Sequence, residues 1–292
     1  TDPDLGYQGL VVGRWANRIR GAAFDFQGQT YHTPMNQGQW TLHSGGRMSF
    51  HLWQVKDTTE NSITFSRFSP DMEDGFPGNL KLAVRYTLTE DNTFRMDYRV
   101  SSDADTIVNL TNHSYFNLNG EGDILGQKLR IYASRYLEGN NQCCPTGAIL
   151  PVADTPMEFT AGKLIGREID TGFAQTTMVG GGYDHCYVID RARGSSQSIC
   201  AWATSDKTGI SMKLYTTQPG IQLYTGNFLQ DCPAPGKGGE PLRKYGGFAL
   251  ETQHYPCSPS HPEFPSTVLR AGKVFRATTT LRFFTGKQCG KL

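Results

Sequence analysis

Leu80-Lys81-Leu82-Ala83-Val84-Arg85-Tyr86-Thr87-Leu88 and, a few residues later, Phe94-Arg95-Met96-Asp97-Tyr98-Arg99-Val100 carry the clearest pattern in the chain. Large apolar side chains fall at every second position, with charged or small residues between them. Glu90-Asp91-Asn92 is a polar break between the two runs. Period two on both sides of a short turn predicts an antiparallel hairpin with one face buried. Ile63 to Phe65, Ile199 to Ala203, Ile210 to Tyr215 and Phe275 to Phe283 read the same way. Helical periodicity is weak throughout. With 33 Gly and 15 Pro in 292 residues, turns are frequent and elements short.

The rest of the composition fits. Hydrophobic residues make up 37% and include 16 Phe, 13 Tyr and 4 Trp, enough for a sizeable core. Twenty-eight basic residues against 27 acidic ones leave a net charge of +1. That balance supplies no basic face for nucleic acid or an anionic membrane. No apolar run approaches the roughly 18 residues a membrane helix needs. Neither a linker nor a fixed-period repeat divides the chain, which argues against a propeller. The expectation is one all-β domain over residues 1–292, a large antiparallel β-sandwich.

Cys143, Cys144, Cys186, Cys200, Cys232, Cys257 and Cys289 are odd in number, scattered, and form no C-x-x-C pair. Reduced thiols in a cytoplasmic protein are expected, with no signal peptide in view.

Five stretches set ionisable groups among aromatics and glycines: Gly13 to Ile19, Leu42 to Gly46, Asn109 to Leu118, Gly180 to His185 and Ala249 to Gln253. Singly, each has a structural reading. His113 fits a hydrogen-bonded core histidine. Glu251 fits the end of a buried strand, in an ion pair with an arginine such as Arg18. His43 fits a turn. Gly180-Gly181-Gly182 lacks the spacing of a dinucleotide fingerprint. Glu251 and His254 have a di-iron spacing that works only on a helix, so no metal is expected.

Taken together, the ordered motifs resemble the aldose 1-epimerase (galactose mutarotase) family. They are Gly13 to Ile19, Leu42 to Gly45, Asn112 to Leu118, Tyr183 to His185, Thr216 to Phe228 and Leu250 to Gln253. The resemblance runs from about Gly9 to Phe283. It implies the family's sandwich fold, with Glu251 as catalytic base and His113 as general acid. Asn17, Arg18 and His43 match positions that bind the sugar near its ring oxygen and C5 side; Asp184 and Gln222 match positions that hold ring hydroxyls. An aromatic, Tyr115 or Trp15, is expected against an apolar face of the sugar. Ser44 replaces a glycine of the family pattern, and Pro256-Cys257 stands where the family usually has Pro-Asp. The family's usual N-terminal strands are missing, which leaves stability and the choice between monomer and homodimer open.

The implied activity is interconversion of α and β anomers of free hexoses such as galactose and glucose. Opening the hemiacetal needs one acid at the ring oxygen and one base at the C1 hydroxyl, with no cofactor. An imidazolium and a carboxylate are expected to supply them, with pKa values near about 6.5 and about 4.3. Activity would then fall at low pH as Glu251 protonates and at high pH as His113 loses its proton. A non-catalytic carbohydrate-binding protein would need only the ring contacts. A hexose-6-phosphate 1-epimerase would need more cations than Arg18. A glycosidase would need two carboxylates, for which Asp184 and Glu251 are the pair.

Overall fold

The structure is a computed structural model and describes residues 6–191 and 194–285; Cys289 lies outside them. Two large sheets are built from strands β1 (Gln54–Thr59), β2 (Ser62–Ser69), β3 (Leu80–Leu88), β4 (Thr93–Ser102), β5 (Tyr115–Phe116), β6 (Lys128–Ile131), β7 (Arg135–Gly139), β8 (Pro145–Pro151), β9 (Lys163–Leu164), β10 (Asp184–Val188), β11 (Ser198–Thr204), β12 (Ile210–Thr216), β13 (Gly220–Tyr224), β14 (Phe248–Gln253) and β15 (Val274–Thr285). One sheet has nine strands in the order β9-β6-β11-β12-β15-β4-β3-β2-β1, the other six in the order β5-β14-β13-β10-β7-β8. Every pairing within them is antiparallel. The expected β-sandwich is present. The α-helices among the described residues are Arg47–Phe50 and Ala174–Met178, so no helix there is long and apolar enough to cross a membrane.

The β3–β4 hairpin forms as its alternation predicts. Val84 lies opposite Tyr98 and Leu82 opposite Val100, all buried against the second sheet. Asn92 takes the left-handed conformation that closes the turn. From the six-stranded sheet, Ile221, Leu223, Phe248 and Leu250 fill the same core. A buried hydrogen bond between the Thr252 and Thr279 hydroxyls, 2.6 Å long, spans the two layers.

The other face of the six-stranded sheet is covered as well. Every residue of β14 is buried. Part of the cover is the segment from Gly9 to Ser49, which adds no strand to either large sheet. It lies on the sandwich through a two-residue pairing of Val11 and Val12 with Asn112 and Thr111. It is also held by Arg14, whose side chain has no solvent exposure. The Arg14 guanidinium donates to the Ser69 hydroxyl (2.8 Å) and to the carbonyls of Ser69, Pro70, Phe76, Pro77 and Gly78. Those acceptors belong to the end of β2 and the β2–β3 connection. Burial lowers the Arg14 pKa to about 10, well short of discharging it. Behind it, Trp15, Ile19, Phe24, Phe76 and Ile107 form a separate small core.

Removing one partner from such a buried charged network leaves carbonyls desolvated and unpaired. Arg14→Met keeps the length of the side chain and none of its donors. It is expected to cost about 3–5 kcal/mol. The measurement is the urea midpoint against wild type, with the slope of the transition unchanged.

Candidate active site

Antiparallel register places the polar residues of the outer face. Gln222 is directly opposite Glu251, and Cys186 opposite Gln222. Asp184 is two residues before Cys186 and therefore on the same face, opposite Tyr224. Tyr115 is opposite Ala249, two residues before Glu251. One face of four adjacent strands thus presents Tyr115, Glu251, Gln222, Tyr224 and Asp184. His185, one residue on, takes the opposite face and meets Tyr136 edge-on at 6.2 Å. Asp184 follows the glycine run Gly180 to Gly182. Gly182 has φ +110, and a Cβ there would collide with the Asn227 side chain.

His113 enters from the chain just before β5. Its backbone is fixed to the covering segment: its N–H donates to the Leu10 carbonyl, and its carbonyl accepts from the Gly9 N–H, both at 3.0 Å. His43 arrives from the same segment. It and Ser44 are left-handed non-glycine residues. The Asn17 N–H donates to His43 Nδ1 at 3.1 Å, leaving Nε2 free to face the cleft. The rings of His43 and His113 are 5.4 Å apart, and His113 Nε2 is 3.6 Å from Glu251 Oε1.

Arg18 and Asp184 form the other side. Arg18 Nη2 is 3.6 Å from Asp184 Oδ2, and Arg18 Nε donates to Gln37 Oε1 at 2.8 Å. Gln222 Nε2 donates to Asp184 Oδ1 at 2.7 Å. Asn17 Oδ1 accepts from the Arg18 N–H at 2.9 Å. Of the residues expected at the site from the sequence, Glu251, His113, Asn17, Arg18, His43, Tyr115, Asp184 and Gln222 are therefore in one cluster, and Trp15 is not.

Three readings need correction. Glu251 stands in the middle of β14, not at a strand end, and the arginine ion pair belongs to Asp184. Trp15 has no exposure and donates its indole N–H to the Arg18 carbonyl, so it supports the segment instead of meeting a ligand. Tyr115 is the better-placed aromatic, its ring 5.0 Å from that of His113. The third correction concerns charge. Burial pushes the Glu251 carboxyl up to about 8, helped by the charge of Asp184 and opposed by Arg18. Burial likewise pushes His113 down to about 4 and His43 well below its usual range. Both shifts run toward the neutral forms, the protonated carboxyl at Glu251 and the uncharged imidazole at His113.

Tyr7 and Tyr224 were not anticipated. The Tyr7 ring is 4.6 Å from His43 and 6.3 Å from His113. Tyr224 is 6.5 Å from His113. Tyr224 was available to the period-two argument, since it is two residues past Gln222 in one strand. Nothing local marks Tyr7.

Several buried polar atoms of the cleft have no hydrogen-bond partner: His113 Nδ1, Gln222 Oε1 and Glu251 Oε2. Unpaired groups of this kind are costly unless a ligand completes them. One donor or acceptor nitrogen and two carbonyl-type oxygens suit a small molecule rich in hydroxyls. His43, His113 and Glu251 also bring ligand atoms within 4.8 Å of one another, a donor set that suits a divalent ion in kind.

Comparison with known proteins agrees with this chemistry. The family model described as Aldose 1-epimerase matches residues 2–282. Galactose mutarotase of Rattus norvegicus is 39% identical over 279 residues, covering 95% of this chain and 79% of the relative. Aldose 1-epimerase of Escherichia coli K12 is 36% identical over 282 residues, covering 95% and 80%. Among solved structures, the aldose epimerase homologue from C. elegans superposes with a TM-score of 0.88 at 30% identity, covering 96% of this chain and 83% of the other. Galactose 1-epimerase from Lactobacillus acidophilus gives 0.84 at 26% identity, covering 98% and 84%.

The raised carboxyl pKa has a stability consequence. An unfolded glutamate ionises around 4.5, whereas folded Glu251 keeps its proton up to about 8. Between those values the unfolded state releases a proton that the folded state retains, so rising pH favours unfolding. Wild type is therefore expected to lose stability relative to Glu251→Gln between pH 5 and pH 8.5. Denaturant unfolding of both proteins at the two pH values measures it; parallel pH dependences would show Glu251 titrating normally.

Proposed function

The chain belongs to the aldose 1-epimerase family and is an isomerase acting on sugar anomers, and we propose that Glu251 and His113 carry its proton transfers. The observation that supports this most directly is the 3.6 Å approach of His113 Nε2 to Glu251 Oε1, two buried titratable groups. Glu251 takes the proton of the C1 hydroxyl while His113 gives one to the ring oxygen. The C1–O5 bond breaks, the open aldehyde rotates about C1–C2, and closure on the other face reverses both transfers. The protein ends as it began.

The resting pair stores its proton on Glu251, whereas the acting form has it on His113. These are two arrangements of one proton on the same pair of side chains. A hydroxyl bound at Glu251 Oε2 supplies a hydrogen bond that favours the carboxylate, so the ligand itself helps bring up the acting form. Asp184 and Gln222 hold ring hydroxyls, Asn17, Arg18 and His43 bind the side of the sugar near the ring oxygen, and Tyr115 lies against its apolar face. The hexoses are free galactose and glucose. Arg18 is already committed to Asp184 and Gln37, which favours unphosphorylated substrates over a hexose 6-phosphate.

Polarimetry of freshly dissolved α-galactose and α-glucose, with the spontaneous rate subtracted, tests the assignment. Glu251→Gln and His113→Asn are each expected to lower kcat by at least ~10²-fold, the usual size of a general acid–base contribution. A folded Glu251→Gln variant turning over near the wild-type rate would end the assignment.

The pH profile of kcat/KM should be a bell whose limits are the reverse of those expected from free side chains. Below about 4, His113 takes a second proton and no base remains. Above about 8, Glu251 releases its proton and no acid remains.

This reading needs no metal at His43, His113 and Glu251. Dialysis against EDTA should leave the rate unchanged; a loss restored by a divalent ion would assign the cluster to that ion instead.

A further inference from the structure

The sulfurs of Cys144 and Cys257 are 3.0 Å apart, although the residues are separated by 113 positions in the chain. Neither has solvent exposure. Cys144 closes the turn between β7 and β8, its N–H donating to Asn140 Oδ1 at 3.1 Å and its carbonyl accepting from the Asn140 N–H. Cys257 is in the loop after β14, held in the left-handed conformation, with its N–H donating to the Arg18 carbonyl at 2.9 Å. Their chain neighbours Cys143 and Pro256 line one recess together with Asp184 and Gln222.

We propose that Cys144 and Cys257 are a reversible disulfide-forming pair that restrains the cleft when the protein is oxidised. The sulfurs need to approach by only about 1 Å to reach bonding distance. With hydrogen peroxide as oxidant, the Cys144 sulfur attacks one peroxide oxygen, the O–O bond breaks and water leaves. The resulting sulfenic acid is attacked by the Cys257 thiol; the S–O bond breaks, the S–S bond forms and a second water leaves. Two thiols are oxidised and one peroxide is reduced. The hydrogen bond between the sulfurs, with Arg18 and Arg20 nearby, holds the Cys144 thiol below its ordinary pKa, so Cys144 makes the first attack when local opening of the β7–β8 turn admits peroxide.

The consequence follows from burial. Glu251, Asn17 and Arg18 are 2%, 3% and 6% exposed, so the opening onto them is narrow and sensitive to how far the surrounding loops can move. A bond between the β7–β8 turn and the loop carrying Cys257 pins the two together. Entry slows, and kcat/KM falls. This second part rests on the cleft being the sugar site; the crosslink does not.

The experiment treats the full chain with hydrogen peroxide and maps disulfides by mass spectrometry of a non-reduced digest. Mutarotation is measured before and after, and again after dithiothreitol. The expected result is a Cys144–Cys257 peptide, a raised thermal midpoint, and at least a fivefold fall in kcat/KM that dithiothreitol restores. Cys144→Ser and Cys257→Ser should keep the reduced rate and resist peroxide; if one fails to fold, the other carries the comparison. A digest without that peptide, or with Cys143 as the bridging partner, would overturn the pair. The peptide present with kcat/KM unchanged would overturn the restraint while leaving the chemistry of the sulfurs standing. Reduced wild type without mutarotase activity would sink the sugar reading alone.

Discussion

Arg14 keeps a full positive charge out of water by spending its donors on one hydroxyl and five carbonyls. The site depends on this because three of its residues, Asn17, Arg18 and His43, belong to a segment that neither large sheet contains. His113 depends on it too, since its backbone pairs with Gly9 and Leu10 of the same segment. Beside the short ladder of Val11 and Val12, the backbones of Arg14 and Ala16 bond to Asn109. The buried guanidinium fixes the segment to the β2–β3 connection, and the Cys257 N–H ties its far side through the Arg18 carbonyl. Two sheets make the protein stable; this attachment turns the bare outer face of one of them into a closed cleft.

Closure then sets the chemistry. An exposed glutamate and histidine at neutral pH would carry a charge and roughly none, respectively, and water would compete for both. Under the covering segment neither ion is well solvated, so burial favours the neutral form of each group. The cost appears as lost stability on the alkaline side, the kind of trade between stability and activity expected of buried titratable groups at a functional site.

Much of this was legible in the residues. The alternation from Leu80 to Val100 reports which side of a strand faces the core, and that is local information. The same rule separates Asp184 from His185. The covering segment was less legible, because its course is set by left-handed residues such as Asn17 and His43 and by hydrogen bonds to chain more than fifty residues away. Trp15 illustrates the difficulty: an aromatic beside two site residues reads as a sugar platform, yet it packs behind them. The protonation of the His113–Glu251 pair was misjudged for a related reason. Side-chain identity gives the pKa of a solvated group, and desolvation is a property of everything packed around it.

The register of Gln222 against Glu251, with Asp184 one strand further, also bears on how such a protein can diverge. Strands are separated by roughly 5 Å and alternate residues along one strand by about 7 Å, so the outer face is a grid on the scale of one hexose ring. Replacing a residue at any grid point changes a single contact and leaves the others where they were. Inserting or deleting one residue within β13 or β14 would send every later side chain of that strand to the opposite face, exchanging Glu251 for Leu250. Sugar preference is therefore open to change by substitution and by loops of any length, while strand lengths are frozen. The pleat acts as a reading frame for the site.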